Sequence, residues 1–325
     1  MAEEYVYAVT RAHIQEQNML NEKDLEQMIN GGSLSVALHF LAEKGWSSPD
    51  SSGDVDALVE AESDKLWSFM QEIVGDLSPF DVFRTVKDFH NLKAAIKLHY
   101  SEGANHTNRK YYMKHGIVDI KLIETAAKIR DFSKLPTDLA NVGNAAYEAI
   151  SHTGNGQVCD IEIDRATLLS VAQAGKDNKS TLLQKYAEFT VDLANIKAAV
   201  RCCKMRKNRE FINRVLVFAG TLDIERLISA TERSLDDICE CLKGSAYWDA
   251  IDELKKSFTA FERYCDNKLI WLIKPQKSNY FTLEPLAAYV LARENEIKMV
   301  KLILSALENN LSSDVLRERL RDTYV

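Results

Sequence analysis

The chain has 325 residues, more than one hydrophobic core usually holds, so two or three domains are expected. A net charge of -7 argues against non-specific nucleic-acid binding, while 46% hydrophobic and 27% charged residues form an ordinary globular balance. Thirteen Gly and five Pro are too few for a loop-rich or all-β chain, which favours long helices.

In chain order, the first helix is expected from Tyr5 towards Met19. The start, MAEEYVYA, is acidic and lacks the basic-then-apolar pattern of a secretory leader. Asn21 reads as an N-cap with Asp24 completing a capping box, and Leu25, Met28 and Ile29 give the next helix its apolar face before Gly31-Gly32 ends it. A short helix follows on Leu34, Ala37, Leu38 and Leu41, closed by Gly45, and residues 47–54 (SSPDSSGD) read as an exposed loop. Leu58, Glu62, Leu66, Phe69 and Ile73 mark a long amphipathic helix over 55–74. Gly75 breaks it, and Pro79 starts another with Phe89, Leu92, Ile96 and Tyr100 on one stripe, ended by the polar run 101–110.

The middle third repeats this plan. GIVDIKLIETAAKI is helical, Pro136 marks a break, SHTGNGQ is a turn, and helices are expected over 161–174 and 179–205. In the last third, GTLDIERLI opens a helix much as LNEKDLEQMI does. One long helix is expected over 250–264, with a break at Pro275. Pro285 lies near the first turn of another helix, which carries Tyr289, Ile297, Val300, Leu304 and Leu307, and Ser312 caps a short last one. No long segment alternates like a strand, so the fold class is all-α.

HNLKAAIK, at 90–97, returns as ANIKAAVR at 194–201. Leu92 and Ile196 are 104 residues apart, and a further 101 residues lead to Ile297 in ENEIKMVK. Lys93, Lys197 and Lys298 then align; Asn91 and Asn195 give way to Glu296, and Asp88 and Asp192 to Arg293. The segments DLEQMI, DIKLIE and DIERLI recur at similar spacing. Three tandem helical domains follow, at 1–115, 116–218 and 219–325. Solenoid repeats are usually about 20–45 residues, so a generic solenoid scaffold fits this period poorly.

The chain resembles the C subunit of the bacterial and archaeal V-type (A-type) ATPase, whose eukaryotic counterpart is the d subunit. The resemblance is carried by YVYAVTRAHIQEQNML, LNEKDLEQMI, DVFRTVKDFHNLKAAIK, DLANIKAAVR, and LEPLAAYVLARENEIKMVKLIL with its tail SSDVLRERLR, spread over most of the sequence. Thr10 and His13 depart from the family's usual small or basic residues. The resemblance implies three similar helical domains in a funnel around a pseudo-threefold axis. It also implies a socket between the rotating central stalk and the membrane proteolipid ring, peripheral on the cytoplasmic face.

Motifs for chemistry are lacking. Gln173-Ala174-Gly175-Lys176-Asp177 has neither the upstream glycine nor the hydroxyl residue of a phosphate-binding loop. The seven histidines form no His-x-x-x-His pair, and the six cysteines no Cys-x-x-Cys pair, so a metal is not expected and the thiols read as reduced and cytoplasmic. LIWLI and VLVFAG fall far short of the roughly 18–20 apolar residues of a membrane span. No cofactor, small-molecule substrate or enzymatic activity is expected. The sharper signal is basic: Lys93 and Lys97 share a helix face, as do Lys197 and Arg201, and 201–209 (RCCKMRKNR) holds five cations. Asn91, Lys93, Lys97, Asn195, Lys197, Arg201, Lys204, Arg206, Glu296 and Lys298 are therefore the candidates for contact with an acidic partner or anionic lipid headgroups, against the plainer reading of a solvated helix face or of pairing within a domain with carboxylates such as Asp88 and Asp192. A nucleic-acid role for the 201–209 cluster is disfavoured by the acidic total.

Overall fold

A computed structural model describes residues 5–47, 54–101 and 111–325, and among these the fold is all-α, with no strand. The first four helices are α1 (Val6–Glu16), α2 (Glu22–Asn30), α3 (Leu34–Glu43) and α4 (Val55–Val74). Next come α5 (Asp81–Ser101), α6 (Ile120–Ile129), α7 (Thr137–Thr153), α8 (Gly156–Asp177) and α9 (Thr181–Lys204). The short helices α10 (Arg209–Val215), α11 (Ile224–Thr231), α12 (Leu235–Leu242) and α13 (Ile251–Lys256) follow. The chain closes with α14 (Phe258–Ile273), α15 (Glu284–Glu308) and α16 (Ser313–Arg319).

Helix starts follow local chemistry. Asn21 accepts from the Lys23 and Asp24 amides while Asp24 accepts from the Asn21 amide, the reciprocal capping box expected there. Asp119 and Asp223 cap α6 and α11 through their side chains. The structure departs from the expected elements at several places. Helix α8 begins at Gly156 rather than 161, because α7 runs to Thr153, Gly154 takes a left-handed φ of 64° and Asn155 caps α8 at once. The single helix expected over 250–264 is two, since Ser257 is extended and its side chain accepts from the Ala260 amide to start α14. The expected loop at 47–54 and polar run at 101–110 lie mostly outside the described residues.

The chain forms two compact units, Met1–Leu77 with Ala250–Val325, and Ser78–Asp249. In the first, Leu25, Met28, Ile29, Leu41 and Leu58 pack with Val300, Ile303 and Leu304 of α15. In the second, Phe89, Leu92 and Ile96 of α5 pack with Ile123, Phe132, Ile150, Cys159 and Ile163. Leu92, Ile96 and Ile196 are fully buried, as their place on the apolar stripe requires. Each unit joins helices from more than one sequence third.

Candidate functional site

The repeated motif is a backbone clamp. On α5, the Asn91 side chain donates to the Met113 carbonyl at 2.8 Å and accepts from the Met113 amide at 2.7 Å. Asp88 accepts from the Ile117 amide at 3.0 Å and the Val118 amide at 3.1 Å. On α9, Asn195 makes the same pair of bonds to Val217 at 2.9 and 2.8 Å. Asp192 accepts from the Thr221 amide at 2.9 Å and the Leu222 amide at 3.2 Å. The sequence separations are identical, 22 residues for each Asn and 29 and 30 for each Asp. Each clamp ties the middle of a long helix to the segment that starts the next sequence third, which explains why the compact units cut across the thirds.

A glycine makes room for each carboxylate. A methyl group on Gly116 would overlap Asp88, and one on Gly220 would overlap Asp192. These glycines are required by close approach and not by a left-handed backbone. Their signal lay in the sequence, as the G-x-x-D of GIVD and GTLD just before α6 and α11.

The clamps differ in their surroundings. Asp192 also accepts from the Thr221 hydroxyl and, at 2.9 Å, from the Tyr247 hydroxyl. Burial and the adjacent Asp192 push the Tyr247 hydroxyl up, so it stays a donor. Among the described residues Asp88 accepts from backbone amides alone, and burial raises its carboxyl to about 6 against the pull of the Val118 and Ile117 amides.

In the third copy both clamp residues are different. Arg293 replaces the aspartate, and Glu296, in the asparagine position, accepts from the Leu20 amide and from Arg293. Leu20 precedes the α2 cap Asn21 just as Val118 and Leu222 precede the caps Asp119 and Asp223. Arg293 also binds Glu62, a buried carboxylate that accepts from Lys65 and from the Ser47 amide. This explains a glutamate on the apolar stripe of α4. Burial raises the Glu296 carboxyl, with Arg293 the largest opposing influence.

The structure sorts the ten partner-contact candidates by environment. Asn91, Asn195 and Glu296 are buried and bonded within the chain. Lys93 pairs with Asp164 at 2.6 Å, Lys97 with Asp160 at 3.0 Å, and Lys298 with Asp266 at 2.9 Å. Arg201, Lys204 and Arg206 are exposed, and Lys197 is partly buried. Lys197, Arg201, Met205 and Lys207 line a groove of about 500 Å³ between α8, α9 and α10. Sequence reasoning missed α10 and with it the groove's far wall, because that helix has only seven residues and starts at the end of the basic stretch 201–209.

Among the described residues no group of three or more His, Cys, Asp or Glu could hold a metal. Burial pushes the Cys159 thiol up to about 11, away from reactive thiolate character. No described helix is long and apolar enough to cross a membrane.

These features define an all-α protein whose long helices are clamped by a repeated Asp/Asn motif. The sequence matches the ATP synthase (C/AC39) subunit family over residues 8–319 and belongs to that family. It is 22% identical to the C subunit of the V-type sodium ATPase of Enterococcus hirae, over 95% of both chains. It is 21% identical to the C subunit of the A-type ATP synthase of Thermococcus kodakarensis, over 97% of this chain and 89% of the relative. Against the corresponding A-type ATP synthase protein of Haloferax volcanii the identity is 20%, over 97% and 96%.

Proposed function

We propose that this chain is a non-catalytic coupling subunit of a rotary ATPase or ATP synthase, a socket that links the rotating central stalk to the membrane proteolipid ring during proton or sodium transport. The observation that carries this reading is the family match over 8–319, joined by relatives named as C subunits of such complexes along nearly their whole length. Three helical domains, at 1–115, 116–218 and 219–325 around a pseudo-threefold axis, would form the socket, and their repeated clamps support it. A torque-bearing element needs a stiff connection between successive helices, and a buried asparagine gripping both polar groups of one peptide residue resists sliding. The chain would sit on the cytoplasmic face and be held at the membrane through the ring.

The test is co-purification. A tagged chain should retain both the central-stalk subunits and the isolated ring in separate pull-downs. Failure to retain either partner would remove the basis for a coupling role.

A further inference from the structure

The α5 face that carries Lys93 and Lys97 shows what such a surface receives. Helix α8 lies across it, and Asp160 and Asp164, one helical turn apart, meet the two lysines. The contact continues at Thr85 and Ser170, whose hydroxyls lie 3.1 Å apart. The matching α9 face presents Lys197 and Arg201 at the same spacing, but it opens on the groove between α8, α9 and α10.

That groove has an apolar wall and a cationic rim. Met205 is 59% exposed beside it, and Lys207 stands over the Phe211 ring at 4.7 Å. Its two carboxylates, Asp160 and Asp164, already pair with Lys97 and Lys93. Its Arg165 donates to the carbonyls of Asn213, Arg214 and Leu216. Lys197 makes no hydrogen bond or ion pair among the described residues. An apolar strip beside a cation with no partner calls for an amphipathic occupant of opposite charge.

We propose that this groove docks an acidic amphipathic helix of a partner protein, which presents a carboxylate to Lys197 and apolar side chains to Met205 and Phe211. The internal pairing of α8 with α5 is the template for the contact. The inference rests on the coupling reading, since the neighbouring subunits of the complex would supply the helix.

The probe is a fluorescent peptide with the sequence of Gly156–Asp177, held helical by a lactam bridge on the side away from Asp160 and Asp164. The full-length chain should bind it saturably at roughly 10–100 μM. Replacing both peptide aspartates by Asn, or Lys197→Glu in the chain, should each weaken binding about tenfold or more. Unchanged thermal unfolding of the Lys197→Glu chain shows that the loss is local. Lys298→Glu, which does not line the groove and whose cation pairs with Asp266, should bind the peptide as well as wild type. No saturable binding up to about 1 mM, or binding indifferent to the aspartates and to Lys197, overturns the proposal. A Lys197→Glu chain that loses the peptide while the wild-type chain fails to retain stalk or ring subunits defeats the coupling reading and leaves the groove's chemistry standing.

Discussion

Helices α5 and α9 carry the same clamp at the same spacing but meet different neighbours. Asn91 and Asn195 grip Met113 and Val217 with nearly identical geometry. Further along the same helices, Lys93 and Lys97 pair with Asp164 and Asp160 of α8, whereas Lys197 and Arg201 line a groove. The shared part serves the fold, and the part that differs marks where a copied surface is open to another use. The two helices keep both the clamp and the cations beside it, and they differ in what those cations meet.

The two aspartates should separate most widely. Asp192→Ala leaves two amides and the Tyr247 hydroxyl without their acceptor, a loss of about 3–5 kcal/mol. Asp88→Ala strands two amides and removes a carboxylate that burial already disfavours, a loss of about 1–3 kcal/mol. Urea denaturation of both variants reads the difference, and equal losses would mean that the Tyr247 and Thr221 hydroxyls add nothing to the α9 clamp.

Next come the glycines. Gly220→Ala and Gly116→Ala each force a methyl group into a held carboxylate, at about 1–3 kcal/mol. Pairing Gly220→Ala with Asp192→Ala should cost much less than the sum, because the second substitution removes the group that the methyl strikes. Full additivity in a double-mutant cycle would show that the two residues do not meet.

A smaller effect is set by pH. Burial raises the Asp88 carboxyl from 3.8 to about 6, so between these values the folded chain holds a proton that the unfolded chain has released. Its contribution to stability is therefore greatest at low pH and is lost as pH rises through about 6. Asp88→Asn should remove this slope, and the stability gap between variant and wild type should change across about pH 4–6 and be level above about pH 7. A gap that stays constant across the acid range would show that Asp88 titrates like an exposed carboxyl.

The smallest effects lie on the charged faces. Lys93→Glu breaks the pair with Asp164 and sets like charges together, a loss of about 0.5–1 kcal/mol. Lys197→Glu breaks no such pair and should change stability by no more than about 0.5 kcal/mol. Matching losses in thermal unfolding would erase the distinction between the paired face and the face that lines the groove.

Much of this was legible in the sequence. The apolar stripes gave the helix class, and the Asn21/Asp24 capping box formed as its spacing required. The spacing of Leu92 and Ile196 located the motif, and the buried state of both follows from the same periodicity. The inward role of Asn91, Asn195 and Glu296 was not legible, because a polar residue beside an apolar stripe reads equally as surface or as buried and bonded. Only the partners decide, and Met113, Val217 and Leu20 lie 22 or more residues away in sequence. The groove was hidden for a related reason, since its walls come from three helices and its openness depends on what does not pack there.

Coupling of rotation to ion movement is decided in membrane vesicles carrying the assembled ATPase with this chain removed and then restored. A coupling subunit leaves ATP hydrolysis by the peripheral sector running in its absence while ATP-driven ion uptake stops, and adding the purified chain restores uptake. Ion uptake that proceeds at the full rate without the chain would contradict that role.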